Sequence, residues 1–402
     1  MSTSHIYHAH GIRKFQLISE KFVGKTIEMH IRRKGDFACP NCESSHVTAI
    51  KIGKRKIKGL KSGRKNTVFI VILHRIKCHD CGSFLHEDFE FTPAPKVHYT
   101  CSLARTVIEL REEMSINAIA KYLNLHWGTV KDIEKRFLKK KYKKIKLKDV
   151  RYIGIDEVYV GHNKYLTIVR DMESGAVLHI GEGKGGEALD KFAKRLRHSK
   201  CKIVAAAVDF APSYSAWIKE NLPSVDIVYD HFHLIKLMNK KINALRRSTM
   251  NDLDDHLKEK LKGKRWLFLR NQKNLDEEET DQLNELKEIF DDLGTACYMR
   301  DALRQIYSIA EFDYEAKLAL KYWCELADET NIGCLHTMAK TIRKNMDGIA
   351  GYWKYNHLTN AKMEGFNNKI GWLNRQAYGY RDFEYFKLKI FDLPTCKFAK
   401  AI

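Results

Sequence analysis

The sequence predicts a multidomain α+β protein in which two small N-terminal modules precede an α/β domain that is interrupted by a helical insertion. Three observations lead to this prediction. Two Cys-x-x-Cys pairs lie near the N-terminus, a helical hairpin pattern with a lysine run follows them, and strand-like apolar runs begin near residue 150. A chain of 402 residues is long enough for several domains with a large core.

The charge balance predicts a polyanionic partner. Lysine and arginine total 71 against 50 for aspartate and glutamate, so the formal net charge is +21. This excess favours nucleic acid over the alternative of a merely soluble basic protein. No apolar run approaches the roughly 20 residues that span a bilayer, and the N-terminus lacks a signal-peptide pattern. The composition therefore predicts a soluble protein without a membrane partner.

Residues 1–97 are predicted to form a zinc ribbon. The pairs Cys39/Cys42 and Cys78/Cys81 flank a basic segment and a strand-like apolar run. Four thiolates at this spacing are typical of a closed, structural Zn²⁺ site that leaves no position open for chemistry. A nearby histidine in place of one cysteine is an open alternative. The other cysteines are scattered singly and are expected to be reduced thiols.

Residues 98–148 are predicted to hold a helix-turn-helix and a basic linker. Apolar residues recur at helical spacing on both sides of a short turn, and Ser115 is placed to cap the first helix. The second helix would enter the major groove of DNA, and a plain helical hairpin is the alternative. The candidate DNA contacts on this helix and the lysine run after it are His126, Trp127, Thr129, Lys131, Lys139, Lys140 and Lys141.

From residue 149 the pattern indicates an α/β domain. Three strand-like runs with short turns predict an antiparallel meander, and the strand-helix-strand-helix-strand order that follows predicts right-handed parallel crossovers. This is the order of the ribonuclease H fold, in which the first and fourth strands are parallel neighbours. Those strands are predicted to end at Asp156 and Asp209, so both carboxylates are expected at one sheet edge. Glu157 competes with Asp156, but strand alternation points it to the opposite face.

The α/β domain is predicted to have two parts, residues 149–235 and residues 346–402. Between them, residues 236–345 are helical and charged, and this segment is too long for a loop, so we interpret it as an inserted helical subdomain. The second part carries Glu364 in a helix-like segment. Further candidate DNA contacts on that segment are Asn367, Lys369 and Arg375.

Asp156, Asp209 and Glu364 suit phosphodiester chemistry. Cleavage and transfer require an activated oxygen nucleophile and a stabilised leaving oxygen, and two Mg²⁺ ions roughly 3.5–4 Å apart supply both. Mg²⁺ prefers carboxylate oxygens. Any one carboxylate is more often a solvated surface group, but two strand-end positions and a helical glutamate in a basic chain favour a metal site.

Several further motifs accompany these residues and span nearly the whole chain in order. They are Ile153-Gly-Ile-Asp156-Glu157, Val208-Asp209-Phe-Ala-Pro-Ser-Tyr214, Tyr229-Asp230-His-Phe-His233 and Ala361-Lys-Met-Glu364-Gly-Phe-Asn367-Asn-Lys369. Together with the cysteine pairs and the helix-turn-helix, they resemble transposases of the ISL3 family of bacterial insertion sequences, in the DDE superfamily.

The resemblance implies that Asp156, Asp209 and Glu364 are a catalytic, metal-binding triad for Mg²⁺ or Mn²⁺. It also implies an Asp-x-x-His motif in which His233 positions DNA or the scissile phosphate. A packed or helix-capping role is the alternative for His233.

The function implied is a DNA transposase that binds the ends of its insertion sequence, cleaves there and transfers the strand. Double-stranded DNA is the expected partner, both as the terminal inverted repeats and as the target. A homodimer or higher homo-oligomer is expected on DNA, at the nucleoid of the bacterial cytoplasm. Two alternatives remain open, a catalytically silent DNA-binding regulator and a hydrolysis-only DNA nuclease of the same fold.

Overall fold

The computed structural model describes residues 5–395, and the chain forms two compact units. Among the described residues, the first unit contains residues 5–144 and residue 395, and the second contains residues 145–394. Residues 1–4 and 396–402, which include the ends of the predicted domains 1–97 and 346–402, lie outside the described residues. No helix in the described part of the chain is both long and apolar enough to cross a membrane.

The first unit is built on a mixed sheet. Its strand order is β1-β2-β4-β3, with β5 also paired to β4, and β2 lies parallel to β4 while the other pairs are antiparallel. The strands are β1 (Phe15–Val23), β2 (Thr26–Arg33), β3 (Val47–Lys58), β4 (Asn66–Cys78) and β5 (Phe84–His86).

One buried histidine lies in the core of this sheet. The His10 side chain packs edge-on against Phe69, with 5.0 Å between ring centroids. His10 is 2% exposed, and neither ring nitrogen has a hydrogen-bond partner. Burial, with a smaller contribution from His5, lowers the pKa of His10 to about 4, so the ring is neutral at pH 7.

The first unit has four helices, of which the last two form a helical hairpin. Arg111 at the end of α2 donates to the buried Glu134 of α4 over 2.7 Å, an ion pair that ties these two helices together. A small apolar core of its own joins α2, α3 and α4. The helices are α1 (His5–His10), α2 (Cys101–Leu110), α3 (Ile116–Leu123) and α4 (Trp127–Lys141).

The second unit contains a five-stranded sheet of order β10-β9-β6-β7-β8. An antiparallel meander, β6 to β8, is followed by two strands that lie parallel to β6, and β6 and β9 are neighbours as the sequence predicts. The strands are β6 (Tyr152–Gly161), β7 (Lys164–Asp171), β8 (Val177–Glu182), β9 (Ala205–Val208) and β10 (Asp226–Tyr229).

Helices cover both faces of this sheet. Ile153 and Ile155 of β6 share a core with α5 and α6, whereas Gly154 between them faces α15. This alternation is the period-two geometry of a strand. These helices are α5 (Asp190–Arg197), preceded by a 3₁₀ turn, α6 (Pro212–Asn221), α14 (Met346–Lys354), α15 (Ala361–Gln376) and α16 (Phe383–Asp392).

The segment between α6 and α14 is helical, as predicted. Its apolar residues belong to the same continuous core as the sheet, because α7 begins two residues after β10 and the later helices pack upon it. The helices are α7 (His231–Asp252), α8 (Asp255–Leu261), α9 (Arg265–Leu269), α10 (Glu277–Ile289), α11 (Asp291–Ile309), α12 (Asp313–Glu329) and α13 (Gly333–Lys344). The predicted domain boundaries at residues 235 and 345 remain predictions.

Candidate functional site

Two turns of the first unit bring four cysteines together. The antiparallel register places Val47 of β3 opposite Cys78 of β4, so the turns before β3 and after β4 are adjacent. The Sγ atoms of Cys39 and Cys81 lie 3.6 Å apart, and those of Cys42 and Cys78 also lie 3.6 Å apart. All four ligand atoms fall within 4.8 Å of one another.

This group has the size of a tetrahedral metal site. Zn–S bonds of about 2.3 Å imply sulfur–sulfur distances of roughly 3.8 Å. The Ser83 hydroxyl contacts both Cys39 and Cys81, and it lowers the pKa of each thiol, that of Cys81 to about 5. The pKa of Cys42 instead rises to about 12, because the neighbouring thiols outweigh a hydrogen bond from the Ser44 backbone N–H. Four sulfur atoms this close together fit a site in which a cation would hold all four as thiolates.

The helical hairpin has well-defined caps. The Ser115 side chain accepts from the Ala118 N–H at the start of α3, as predicted, and Asn124 ends α3 in the left-handed conformation with φ of 54°. His126 caps α4, since its Nδ1 accepts from the Gly128 N–H over 3.1 Å. The sequence missed this capping role.

The predicted DNA-contact residues of α4 differ in exposure. Trp127 is 54% exposed, and the lysines at 139, 140 and 141 are exposed in the last turn. Thr129 and Lys131 are half-buried, and the Lys131 ammonium lies 6.0 Å from the centroid of the Trp127 ring. The hairpin therefore presents an aromatic side chain at one end of α4 and a cationic cluster at the other.

The second unit carries the predicted carboxylates on two neighbouring strands. Asp209 directly follows β9, as predicted. The expectation that a strand also ends at Asp156 is wrong, because β6 runs on to Gly161. The ladder between β6 and β9 covers only residues 152–154 of β6, so Asp156 stands just beyond the end of that pairing. Both carboxylates therefore lie at the same edge.

Helix α15 packs closely over this edge. A Cβ atom on Gly154 would lie 2.4 Å from Met172 Sδ, 3.0 Å from Met363 Cγ and 3.3 Å from Asn360 Oδ1. A side chain at this position would displace the Met172 sulfur and press on Met363 and Asn360, so glycine allows the close approach of β6 and the helix. This gives a physical reason for the glycine in the Ile-Gly-Ile-Asp motif.

Three asparagines hold α15 along β6. They are spaced seven residues apart, two helical turns, so they share one face. Asn360 Nδ2 donates to Ile155 O (3.4 Å) and to Asp209 Oδ1 (3.3 Å). Asn367 Nδ2 donates to Asp156 Oδ2 over 2.7 Å, and Asn374 Nδ2 donates to the Val160 carbonyl over 3.1 Å. Asn367, predicted to contact DNA, thus has its amide nitrogen directed at a carboxylate.

His233 lies between two carboxylates. Its Nε2 is 3.0 Å from Asp209 Oδ2, and its Nδ1 is 3.4 Å from Asp230 Oδ2. The contacts with Asp209 and then Asp230 raise the pKa of His233 to about 9. Burial tends to raise the pKa of Asp230, but the adjacent imidazoles and the Thr359 hydroxyl lower it overall. An imidazolium in an ion pair with Asp209 is therefore the form present at pH 7.

Asp156 is half-buried and has a raised pKa. Burial first, and then the Asp209 charge, raises the pKa of Asp156 to about 7. Beside Asp156 and Asp209, Asn360 Oδ1 and Asn367 Oδ1 are buried without a hydrogen-bond partner. Glu157 Oε2 is also buried and unpartnered, but strand alternation directs it to the opposite face of the sheet. Two carboxylates with two unpartnered amide oxygens beside them fit a hard divalent cation. No pattern in the sequence had indicated these unpartnered oxygens.

Glu364 lies in the first turn of α15, between the first two asparagines. It is four residues after Asn360 and three before Asn367, so it shares their face of the helix. Its side chain is exposed. Among residues 5–395, the carboxylate oxygens of Asp156, Asp209 and Glu364 do not all lie within 4.8 Å of one another. The structure therefore brings Asp156, Asp209 and His233 together, and Glu364 is exposed on the helix face that carries Asn360 and Asn367.

The remaining predicted contacts on α15 are Lys369, which is half-buried, and Arg375, which is exposed near its end. Sequence reasoning missed Asn360 and Asn374 and assigned Asn367 only a DNA contact, although the seven-residue spacing of the three asparagines is visible in the chain.

Comparisons with known proteins show the family to which this chain belongs. The ISL3 family model, described as "Transposase", matches residues 153–390. "Transposase for insertion sequence element IS1001" of Bordetella parapertussis is 31% identical over 355 residues, which cover 87% of this chain and 86% of that protein. "Transposase for insertion sequence element IS1557" of Mycobacterium tuberculosis is 25% identical and covers 70% of this chain and 69% of that protein.

One solved structure, "Drosophila P element transposase strand transfer complex", aligns with a TM-score of 0.39 and 11% identity. The alignment covers 74% of this chain and 91% of that one, and a score this low does not establish a shared fold.

The matched segment runs from β6 into α16 and includes the sheet, both strand carboxylates, His233 and Glu364. Such a segment defines a DNA-cleaving enzyme of the DDE superfamily, which implies the use of divalent metal. The chain belongs to the ISL3 family of these enzymes, and its function is that of a DNA transposase.

Proposed function

We propose that this transposase cleaves and joins DNA at a two-metal site in a ribonuclease H-like domain. Asp156, Asp209 and Glu364 would hold two Mg²⁺ ions, or Mn²⁺ in their place. The support is the buried oxygen cluster at one sheet edge, with unpartnered acceptors and a repelling pair of carboxylates. When bound, the ions activate the attacking oxygen and stabilise the leaving oxygen of the phosphodiester.

His233 is proposed to orient Asp209 rather than to act on DNA. Both of its ring nitrogens lie near carboxylates, so the imidazolium holds Oδ2 of Asp209. Oδ1 of Asp209 accepts from Asn360 and has a second lone pair with which it would bind a metal. In the same way, the two asparagines nearest the site would hold α15, and with it Glu364, against β6.

The first unit is proposed to recognise the DNA ends. Its four cysteines form a zinc ribbon around one structural Zn²⁺, and α4 acts as the recognition helix of a helix-turn-helix. His126, Trp127, Thr129 and Lys131 would contact the bases or flanking phosphates, and the lysines at 139–141 would contact the backbone. Lys369 and Arg375 would contact DNA near the cleavage site. Assembly as a homodimer or larger oligomer on DNA, at the nucleoid of the bacterial cytoplasm, completes the proposal.

The test compares cleavage and binding in matched variants. Asp156→Asn, Asp209→Asn and Glu364→Gln each remove a charged ligand while they barely change volume. We expect each to abolish nicking of labelled element ends in Mg²⁺ while gel-shift affinity is retained. Retained cleavage in any one variant would remove that residue from the triad. Cleavage without joining to a target would identify a hydrolysis-only nuclease instead.

A further inference from the structure

A deep groove opens beside the carboxylate site. Its volume is about 1120 Å³, and it lies among α6, α7, α9 and α13. Its lining includes Asp209 and His233 of the carboxylate site. It also includes Arg265 and Trp266 of α9, which belongs to the inserted helices. The groove therefore connects the proposed cleavage position with a part of the helical segment to which the sequence assigned no function.

The groove is strongly cationic. Asp209 is the one acidic residue in its described lining, and among residues 5–395 none of the five basic residues has a carboxylate within 4.0 Å. The absence of such ion pairs leaves these positive charges available for an anionic ligand. The five are Lys219, Lys236, Lys240, Arg265 and Lys344.

Part of this charge forms a stripe that starts at the active site. His233, Lys236, Lys240 and Asn243 lie on one face of α7, at intervals of three or four residues. At a rise of 1.5 Å per residue the stripe is about 15 Å long. This is the length of roughly four steps of a strand stacked as in a duplex, at about 3.4 Å per step, and of fewer steps of an extended, unpaired strand.

The groove also contains an exposed aromatic ring. Trp266 is 59% exposed, and the Arg265 guanidinium lies 4.9 Å from its centroid. Leu237 and Leu269 contribute apolar surface nearby. A basic track with an aromatic platform is the arrangement with which proteins hold single-stranded nucleic acid, because every base has a face that can stack.

We infer that this groove binds an unpaired segment of DNA next to the cleavage position, with the phosphates on the cationic stripe and a base stacked on Trp266. Bases within a duplex have both faces covered by their neighbours, so a tryptophan platform favours an unpaired strand. The inference rests on the proposed function of the carboxylate site, since it supplies the strand that the site would cut or join.

The experiment measures two affinities of the full-length protein without divalent metal. The probes are a duplex with an unpaired tail of about six nucleotides, within the usual site size, and the same duplex fully paired. Trp266→Ala is expected to weaken binding of the tailed probe by roughly fivefold to more than a hundredfold, the range for loss of one stacked base. Binding of the paired probe should not change, and Trp266→Phe should restore most of the preference.

A charge variant tests the stripe separately. In Lys236→Gln/Lys240→Gln, the dependence of log affinity on log salt for the tailed probe should flatten by about 0.7 for each phosphate that the lysines no longer neutralise. The matched controls are Tyr322→Ala, an aromatic residue 62% exposed on α12, and Lys262→Gln, whose ammonium is paired with Glu259. Neither control should alter the preference for the tailed probe.

The outcomes separate this inference from the proposed function. Equal losses on both probes in Trp266→Ala, or no loss on either, would overturn the inference, provided thermal melting shows the variant to be folded. Wild-type protein that fails to cleave element ends in Mg²⁺ would instead overturn the proposed function. If the wild type cleaves element ends and Trp266→Ala binds both probes unchanged, the inference about the groove is wrong and the proposed function stands.

Discussion

Replacing Asn367 by alanine tests how the helix that carries Glu364 is coupled to the strand that carries Asp156. The side chain donates to Asp156 Oδ2 over 2.7 Å and approaches the Glu157 carbonyl at 3.5 Å. Its loss removes a hydrogen bond to an ionisable carboxylate and one of the three anchors between α15 and β6.

The expected effects are worked from these contacts. A hydrogen bond to a charged group contributes about 1.5–3 kcal/mol to stability, and a neutral one about 1 kcal/mol. Asn367→Ala should therefore lower the free energy of unfolding by about 2 kcal/mol. A shift of about 1 Å in a catalytic group costs roughly a hundredfold in rate, so we expect cleavage to fall by about that factor. Affinity for element ends should not change, because this amide faces the protein.

Asn374→Ala is the matched control. Asn374 lies on the same helix face and donates to Val160 O over 3.1 Å, but it does not touch a carboxylate. The control should lose about 1 kcal/mol of stability and no more than a few-fold in cleavage rate. Single-turnover nicking at saturating Mg²⁺, chemical denaturation and gel shifts give the three quantities. Equal loss of cleavage in both variants would show that Asn367 acts only through helix stability. Weakened DNA binding in Asn367→Ala would instead support the prediction that Asn367 contacts DNA.

Three further predictions concern the first unit. Cys78→Ser should release the bound zinc and destabilise the first unit of the full-length protein, and metal analysis together with thermal melting checks this. Because the pKa of His10 is near 4 in the folded state and near 6.5 when unfolded, the unfolded chain takes up its proton first as the pH falls. Wild-type stability should thus lose about 3 kcal/mol more than that of His10→Leu between pH 6.5 and 4, and parallel denaturation curves would disprove this. Thr129→Ala should reduce the preference for element ends over random duplex. Lys140→Gln should instead weaken binding to element ends and to random duplex alike, and it should lower the salt dependence of the affinity.

The sequence predicted the strand order of the second unit well, because its runs of apolar residues were separated by clear turns. It placed Asp209 correctly for the same reason. It ended the first strand too early, since Asp156 and Glu157 interrupt the apolar pattern. Asp156 is accommodated within β6 because Asn367 and the Glu157 backbone N–H donate hydrogen bonds to its carboxylate.

Other features depend on which elements meet, which a single sequence does not reveal. The spacing of the asparagines was visible, but their partners on β6 were not. The groove beside Asp209 is formed by four helices that come from separate parts of the chain, and Trp266 gave no periodic signal. His126 was identified as a DNA contact from its position in the turn, yet its capping bond depends on local backbone geometry.

The asparagine contacts have a consequence for how the protein folds. The bond between Asn367 and Asp156 joins residues 211 positions apart, and that between Asn360 and Asp209 spans 151. Closing so long a loop costs more entropy than a local contact, and contacts of this kind form late in folding. The helices between them fold locally and bring the loop ends together. During synthesis, Asp156 and Asp209 leave the ribosome long before α15 exists, so an incomplete chain has no assembled cleavage site.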